Sequence, residues 1–138
     1  MDWKTQRGII KSLIASYNNA PIWLDSTGLG NPIYDELVSE GLRVKPYHFT
    51  NESKRQLIER LIIAISEQRI TYPDDQVLIN ELNIFQATKT PSGNITYNAP
   101  EGYHDDRVIS LALAVWGALA PVPVGMPVAG RERERLPV

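Results

Sequence analysis

No cysteine occurs among the 138 residues, which excludes disulfide staples, thiolate metal sites and a cysteine nucleophile. Histidine is scarce, with two copies, so a metal ion would have to be held mainly by oxygen. Long apolar runs are missing too. None approaches the roughly 18 residues of a membrane span, and Met1-Asp2-Trp3-Lys4 does not open a basic-then-apolar leader, so a cytoplasmic protein with no membrane partner is expected. Charge of one sign is lacking as well: the formal net charge is −2, without the basic footprint of many nucleic-acid binders. This decides little, because an acidic metal centre that cuts phosphodiesters pulls the total charge down. No Gly-rich phosphate loop ending in Lys-Ser or Lys-Thr is present, which leaves no sign of a nucleotide-driven motor. Ser26 and Thr27 are unconvincing nucleophiles, since nothing places His48 or His104 beside them with an orienting acid.

What is there fits one compact domain over residues 1–120, with 43% hydrophobic and 22% charged residues and length enough to bury a core. Trp3, Ile10, Leu13, Ile14 and Tyr17 repeat with helical period, and Asn18-Asn19-Ala20-Pro21 ends that helix. Ile22-Trp23-Leu24 reads as a strand running into Asp25-Ser26-Thr27-Gly28-Leu29-Gly30, and a helix follows through Ile33, Leu37 and Val38 as far as Gly41. Arg43 to Thr50 alternates around Val44, Tyr47 and Phe49. Thr50 or Asn51 then caps a long helix carrying Leu57, Ile58, Leu61, Ile62 and Ile65. Ile70-Thr71-Tyr72-Pro73 reads as a short extended segment, and Asp74-Asp75 as the cap of a helix through Val77, Leu78, Leu82 and Phe85. Pro91-Ser92-Gly93-Asn94 has the composition of a hairpin turn between Gln86–Thr90 and Ile95–Asn98. A final helix covers about His104 to Leu119, and residues 121–138, rich in Pro, Val and Gly and ending in alternating Arg and Glu, read as a mobile tail.

Alternating strands and helices imply an α/β fold in which the two early strands are parallel and joined by a helical crossover. A parallel sheet of two strands is thin, because such sheets are normally larger and covered on both faces. The strand ending at Leu24 is therefore expected to expose an edge and to bring self-association or a partner.

The acids carry the chemistry. Asp105 and Asp106 open a strongly apolar helix, where one carboxylate suffices as a cap worth about 0.5–2 kcal/mol. The second is left over. Asp25, at the C-terminal end of a strand, stands where open parallel sheets place ligands, although from the residues alone an Asx-turn into the next helix is the simpler account. Mg²⁺ and Mn²⁺ favour such hard oxygen donors, and two ions about 3.5–4 Å apart can stabilise both the attacking and the leaving oxygen of a phosphodiester. His104 is either a neighbour of the cap or a proton-handling group. Lys54 and Arg107 read as solvated side chains or as contacts to backbone phosphates. Glu81 reads as a solvent-facing or structural acid.

Taken together, Trp23-Leu24-Asp25-Ser26-Thr27-Gly28-Leu29-Gly30, Tyr34-Asp35-Glu36-Leu37, Phe49-Thr50 with Ser53-Lys54, Glu81-Leu82 with Phe85, Tyr97-Asn98-Ala99-Pro100 and His104-Asp105-Asp106-Arg107-Val108 resemble the C-terminal nuclease domain of the large terminase subunit of tailed phages. The resemblance spans most of residues 20 to 117. It implies a partial RNase H-like fold with a short parallel sheet flanked by helices and a small C-terminal hairpin. It also implies a two-metal, Mg²⁺- or Mn²⁺-dependent endonuclease that cuts concatemeric DNA during packaging in the bacterial host. Asp25 would be its second catalytic acid and Asp105 or Asp106 its third. Lys54, Arg107 and His104 would lie toward double-stranded DNA. The implied partners are the terminase ATPase portion, the small subunit or the portal. The family's first acid belongs to an opening strand with no equivalent here, and Asp2, which follows no strand, does not replace it. The resemblance therefore implies weak or absent cutting by this chain alone, or a noncatalytic module that binds DNA or protein. Another RNase H-like nuclease, such as a resolvase or transposase relative, would share the acids without the Thr50–Lys54 and Tyr97–Pro100 patterns.

Overall fold

The computed structural model describes residues 1–28 and 31–119; the expected tail over 121–138 lies outside them. Helix α1 (Trp3–Ser16) starts at Asp2, whose carboxylate accepts the Thr5 N–H at 2.8 Å. Strand β1 (Ile22–Asp25) follows, then α2 (Pro32–Ser39) and β2 (Val44–Tyr47). The two strands are parallel, with Trp23 opposite Lys45 and Asp25 opposite Tyr47. A β-helix-β crossover thus forms where the alternation of apolar runs placed it. Helix α1 docks on α2 through charge and indole contacts: Arg7 pairs with Glu36 and Glu40, Lys11 with Glu40, and the Trp3 Nε1–H donates to Glu36.

Helix α3 (Asn51–Ser66) opens with a capping box. Ser53 N–H donates to Thr50 Oγ1 at 3.0 Å while the Thr50 N–H donates to Ser53 Oγ at 2.8 Å. Two of the orphan N–H groups at the helix start are satisfied this way, and Thr50 proves to be the cap. The segment Ile70-Thr71-Tyr72-Pro73 makes no ladder and is irregular. Helix α4 (Gln76–Ile84) is capped by Asp75, which accepts the Leu78 N–H at 2.9 Å. Strands β3 (Gln86–Lys89) and β4 (Ile95–Asn98) form the antiparallel hairpin, and α5 (Asp106–Ala118) closes the described chain.

The core lies between α3 and α5. Leu57, Ile58, Leu61 and Ala64 of α3 meet Val108, Ala112, Leu113 and Val115 of α5, with Tyr47 of β2 at one end. Tyr47 is ringed by Trp23, Phe49 and Trp116 at centroid distances of 6.4, 5.0 and 5.4 Å. Its hydroxyl donates to the Ser53 carbonyl at 2.7 Å, so the sheet, the core and the first turn of α3 are tied at one point. Helix α5 lies close on β1 at Gly117, where an added Cβ would fall 2.0 Å from Trp23 Nε1. Among the described residues, no helix is long and apolar enough to cross a membrane.

Candidate functional site

The site is built at the C-terminal ends of the two parallel strands. Register partners on parallel strands point to the same face, so Asp25 projects from the face that carries Tyr47, toward the α3 and α5 layer. The carboxylate of Asp25 is exposed, and its Oδ1 accepts the Thr27 N–H at 2.8 Å in an Asx-turn. Gly28 follows at φ +117, a conformation glycine adopts without the Cβ strain of other residues. Thr27 in turn accepts the Phe49 N–H on Oγ1 at 2.9 Å, and Asn31 both caps α2 and donates its Nδ2–H to the Asp25 carbonyl at 2.9 Å. These bonds stitch the loop after β1 to the loop after β2. The Asx-turn reading is therefore correct locally, and it leaves Asp25 at the strand end with its carboxylate toward solvent.

The start of α5 differs from its expectation in an instructive way. Neither Asp105 nor Asp106 caps the helix with its side chain; Asp105 sits at the cap position without such a bond. The cap comes from α4. Glu81, buried, accepts the N–H of Arg107 at 2.8 Å and of Val108 at 3.2 Å on Oε2. Two of the N–H groups orphaned at the helix start are met by a carboxylate from another element, and its charge faces the positive end of the dipole. Asp105 turns instead to Lys54, whose ammonium lies 3.2 Å from Asp105 Oδ2 and 2.8 Å from Asn98 Oδ1. Both groups are partly shielded, at 25% and 27% exposure. The first turn of α3, the end of β4 and the start of α5 thus meet at one cation. Asp106 is exposed in the first turn of α5, and its side chain has no hydrogen bond or ion pair among the described residues.

The Arg107 guanidinium, half-exposed, pairs with Asp75 and binds the start of α5 to the start of α4. His104 is exposed just before α5. Glu81, read from the sequence as a solvent-facing or structural acid, is buried and structural, and the sequence did not show what it holds.

The Leu78 N–H, and after it the Arg107 guanidinium, hold the Asp75 carboxyl below its ordinary value of 3.8. A depressed carboxyl contributes stability above its unfolded-state value and loses it as pH falls through the folded one. The contribution of Asp75 is therefore intact near neutrality and lost below about pH 4. Urea midpoints of the protein and of Asp75→Asn, measured from pH 6 to pH 2.5, are expected to converge at the acid end; a constant gap would show that the charge of Asp75 is immaterial.

Asp25, Asp105 and Asp106 are the hard oxygen donors that a divalent ion requires. They fit in kind but are not gathered: among the described residues no three His, Cys, Asp or Glu side chains come together as metal donors.

Residues 1–116 match the family model of the Terminase RNaseH-like domain. The large terminase subunit of Thermus phage G20c is 34% identical over 113 residues, which is 81% of this chain and 23% of that protein. The crystal structure of the large terminase nuclease from the same phage with bound magnesium matches at TM-score 0.75 and 32% identity, over 84% of this chain and 62% of that one. The form with bound cobalt matches at TM-score 0.76 with the same identity and coverage. The chain thus spans less than a quarter of the whole relative and about three fifths of its nuclease.

Proposed function

The chain belongs to the terminase RNase H-like domain family, and from that membership we propose that it is the larger part of a DNA-cutting nuclease domain, residues 1–120, that works with Mg²⁺ or Mn²⁺. The observation that carries the reading is the release of Asp105 and Asp106 from capping by Glu81. Carboxylates at a helix start ordinarily need no other explanation; here the cap is supplied from α4, and neither acid is spent on it. Asp25, Asp105 and Asp106 would supply oxygen donors to the ions. When bound, two ions supply stabilisation of the attacking and leaving oxygens of a phosphodiester. Lys54 keeps Asp105 in place through its charge-assisted bond, and His104, exposed just before α5, is open to a substrate. The substrate is double-stranded DNA during genome packaging in the bacterial cytoplasm, and the ATPase portion of the terminase, the small subunit or the portal are the partners that such a role requires.

Because the described residues gather no three donors, ion binding is expected to be weak and plasmid nicking by the chain alone low or nil. Titration calorimetry with Mn²⁺ and Mg²⁺ tests the reading, with nicking scored on the same samples. Asp25→Asn is expected to lower Mn²⁺ affinity at least tenfold with the urea midpoint little changed. Equal affinity of the two proteins would remove Asp25 from the site, and robust nicking by the chain alone would overturn the expectation of weak binding.

A further inference from the structure

The ammonium of Lys54 has three neighbours, and two of them stand at the ends of the β3–β4 hairpin. It donates to Asp105 Oδ2 at 3.2 Å and to Asn98 Oδ1 at 2.8 Å, and it lies 6.0 Å from the centroid of the Phe85 ring, at the outer reach of a cation–π contact. Phe85 immediately precedes β3 and packs against the core. Asn98 is the last residue of β4, paired with Gln86 across the hairpin, and its neighbour Tyr97 packs against the same core. Both hairpin contacts therefore stand on anchored backbone, whereas Lys54 reaches them on a flexible four-carbon stem. The shorter of its two hydrogen bonds goes to the neutral amide, not to the carboxylate.

We propose that Asn98 is a positioning residue for the ion site: it fixes the Lys54 ammonium against Asp105 Oδ2 and so leaves Oδ1 of that carboxylate as the oxygen offered to an ion. The inference rests on the metal reading above. Asp105 makes no side-chain cap on α5, and its Oδ1 takes no hydrogen bond among the described residues. A ligating carboxylate is commonly oriented by a second bond from an outer partner, and loss of such a partner typically lowers metal affinity about 10- to 100-fold. An amide suits the post at residue 98. Its oxygen accepts from the ammonium without cancelling the charge, so the attraction of Lys54 for Asp105 is kept; a carboxylate there would compete with Asp105 for the same cation. Substituting Lys54 itself would mix two opposed effects, because an ammonium beside a divalent ion also repels it. Substituting Asn98 leaves every formal charge unchanged and isolates the orienting effect.

The test uses the full chain and Asn98→Leu, which removes the acceptor at an exposed position and should retain the urea midpoint. Titration calorimetry with Mn²⁺ is expected to give about tenfold weaker binding for Asn98→Leu. Added to Lys54→Met, which has no ammonium to hold, the same substitution should bring no further loss. Equal affinity of Asn98→Leu and the unsubstituted protein, or an undiminished loss in the Lys54→Met background, overturns the positioning role. Nitrogen-15 NMR of the Lys54 ammonium without metal keeps that failure apart from failure of the metal reading. The signal is expected to be resolved in the unsubstituted protein, where its protons are held, and lost in Asn98→Leu. A signal absent from the unsubstituted protein, or retained in Asn98→Leu, overturns the contact on which the proposal stands. A signal that behaves as expected in a protein that binds no Mn²⁺ overturns the metal reading, and with it the role of Asn98 toward an ion.

Discussion

Glu81→Ala is expected to destabilise the protein by about 2–4 kcal/mol, since a buried N–H left without an acceptor costs about 1–3 kcal/mol. Two such groups are involved, those of Arg107 and Val108, and only the second is fully buried. Asp105 cannot take over the cap without leaving Lys54, and its backbone at φ −128, ψ 16 is outside the extended region usual for a capping residue. Glu81→Gln separates hydrogen bonding from charge. It keeps an acceptor oxygen and loses the interaction of the carboxylate with the helix dipole, so a cost of about 1 kcal/mol is expected. Urea unfolding of the three proteins at neutral pH measures both quantities. If Glu81→Ala unfolds within about 0.5 kcal/mol of the unchanged protein, a range typical of neutral surface changes, the cap from α4 is of no energetic consequence.

Gly117→Ala is expected to destabilise by about 1–3 kcal/mol, the usual cost of forcing an added methyl into filled space. The sign is the informative part, because glycine to alanine inside a helix gains about 1 kcal/mol where space allows. At this position three atoms of the Trp23 indole would lie within 2.0 to 2.8 Å of the new carbon. The ring has little freedom to retreat: its edge meets Tyr47, and Tyr47 is itself buried and anchored to Ser53. Relief must come from α5 moving off β1, which widens the groove between them. Thermal unfolding of Gly117→Ala against Gly8→Ala gives an internal standard, since an added Cβ at Gly8 meets nothing within 4 Å. Stabilisation at both positions would mean that α5 does not lie as close to Trp23 as described.

Much of the architecture was legible because its signals are local. Leu57, Ile58 and Leu61 recur with helical period and are the residues that fill the core. Thr50 and Ser53 lie three apart, the spacing of a capping box, and Pro91-Ser92-Gly93-Asn94 announces a turn without reference to the rest of the chain. Asp25 was placed correctly at the strand end for the same reason. The cap of α5 was not legible. Glu81 and Arg107 are 26 residues apart, and a glutamate on an amphipathic helix looks the same in sequence whether it meets water or the start of another helix. The local rule that an Asp before a helix caps it was outcompeted by a tertiary contact. Arg107 and Asp75 show the same limit: one read as a solvated side chain or a phosphate contact and the other as a cap, and only the packing of α4 on α5 brings them together. The docking of Lys54 between Asn98 and Asp105 likewise needs three separate elements at once.

Supplying the cap of α5 from α4 also has a kinetic side. The amide hydrogens of Arg107 and Val108 can be lost to solvent only when Glu81 lets go, so their lifetimes record how often α4 lifts from the body of the protein. Each such excursion uncovers the first turn of α5 and loosens the aim of the two acids beside it. The steadiness of Asp105 and Asp106 is thereby set in part by how firmly Leu78, a buried residue on the far helix, keeps α4 seated. A substitution there would reach Asp105 and Asp106 as a change in the time that the start of α5 spends assembled.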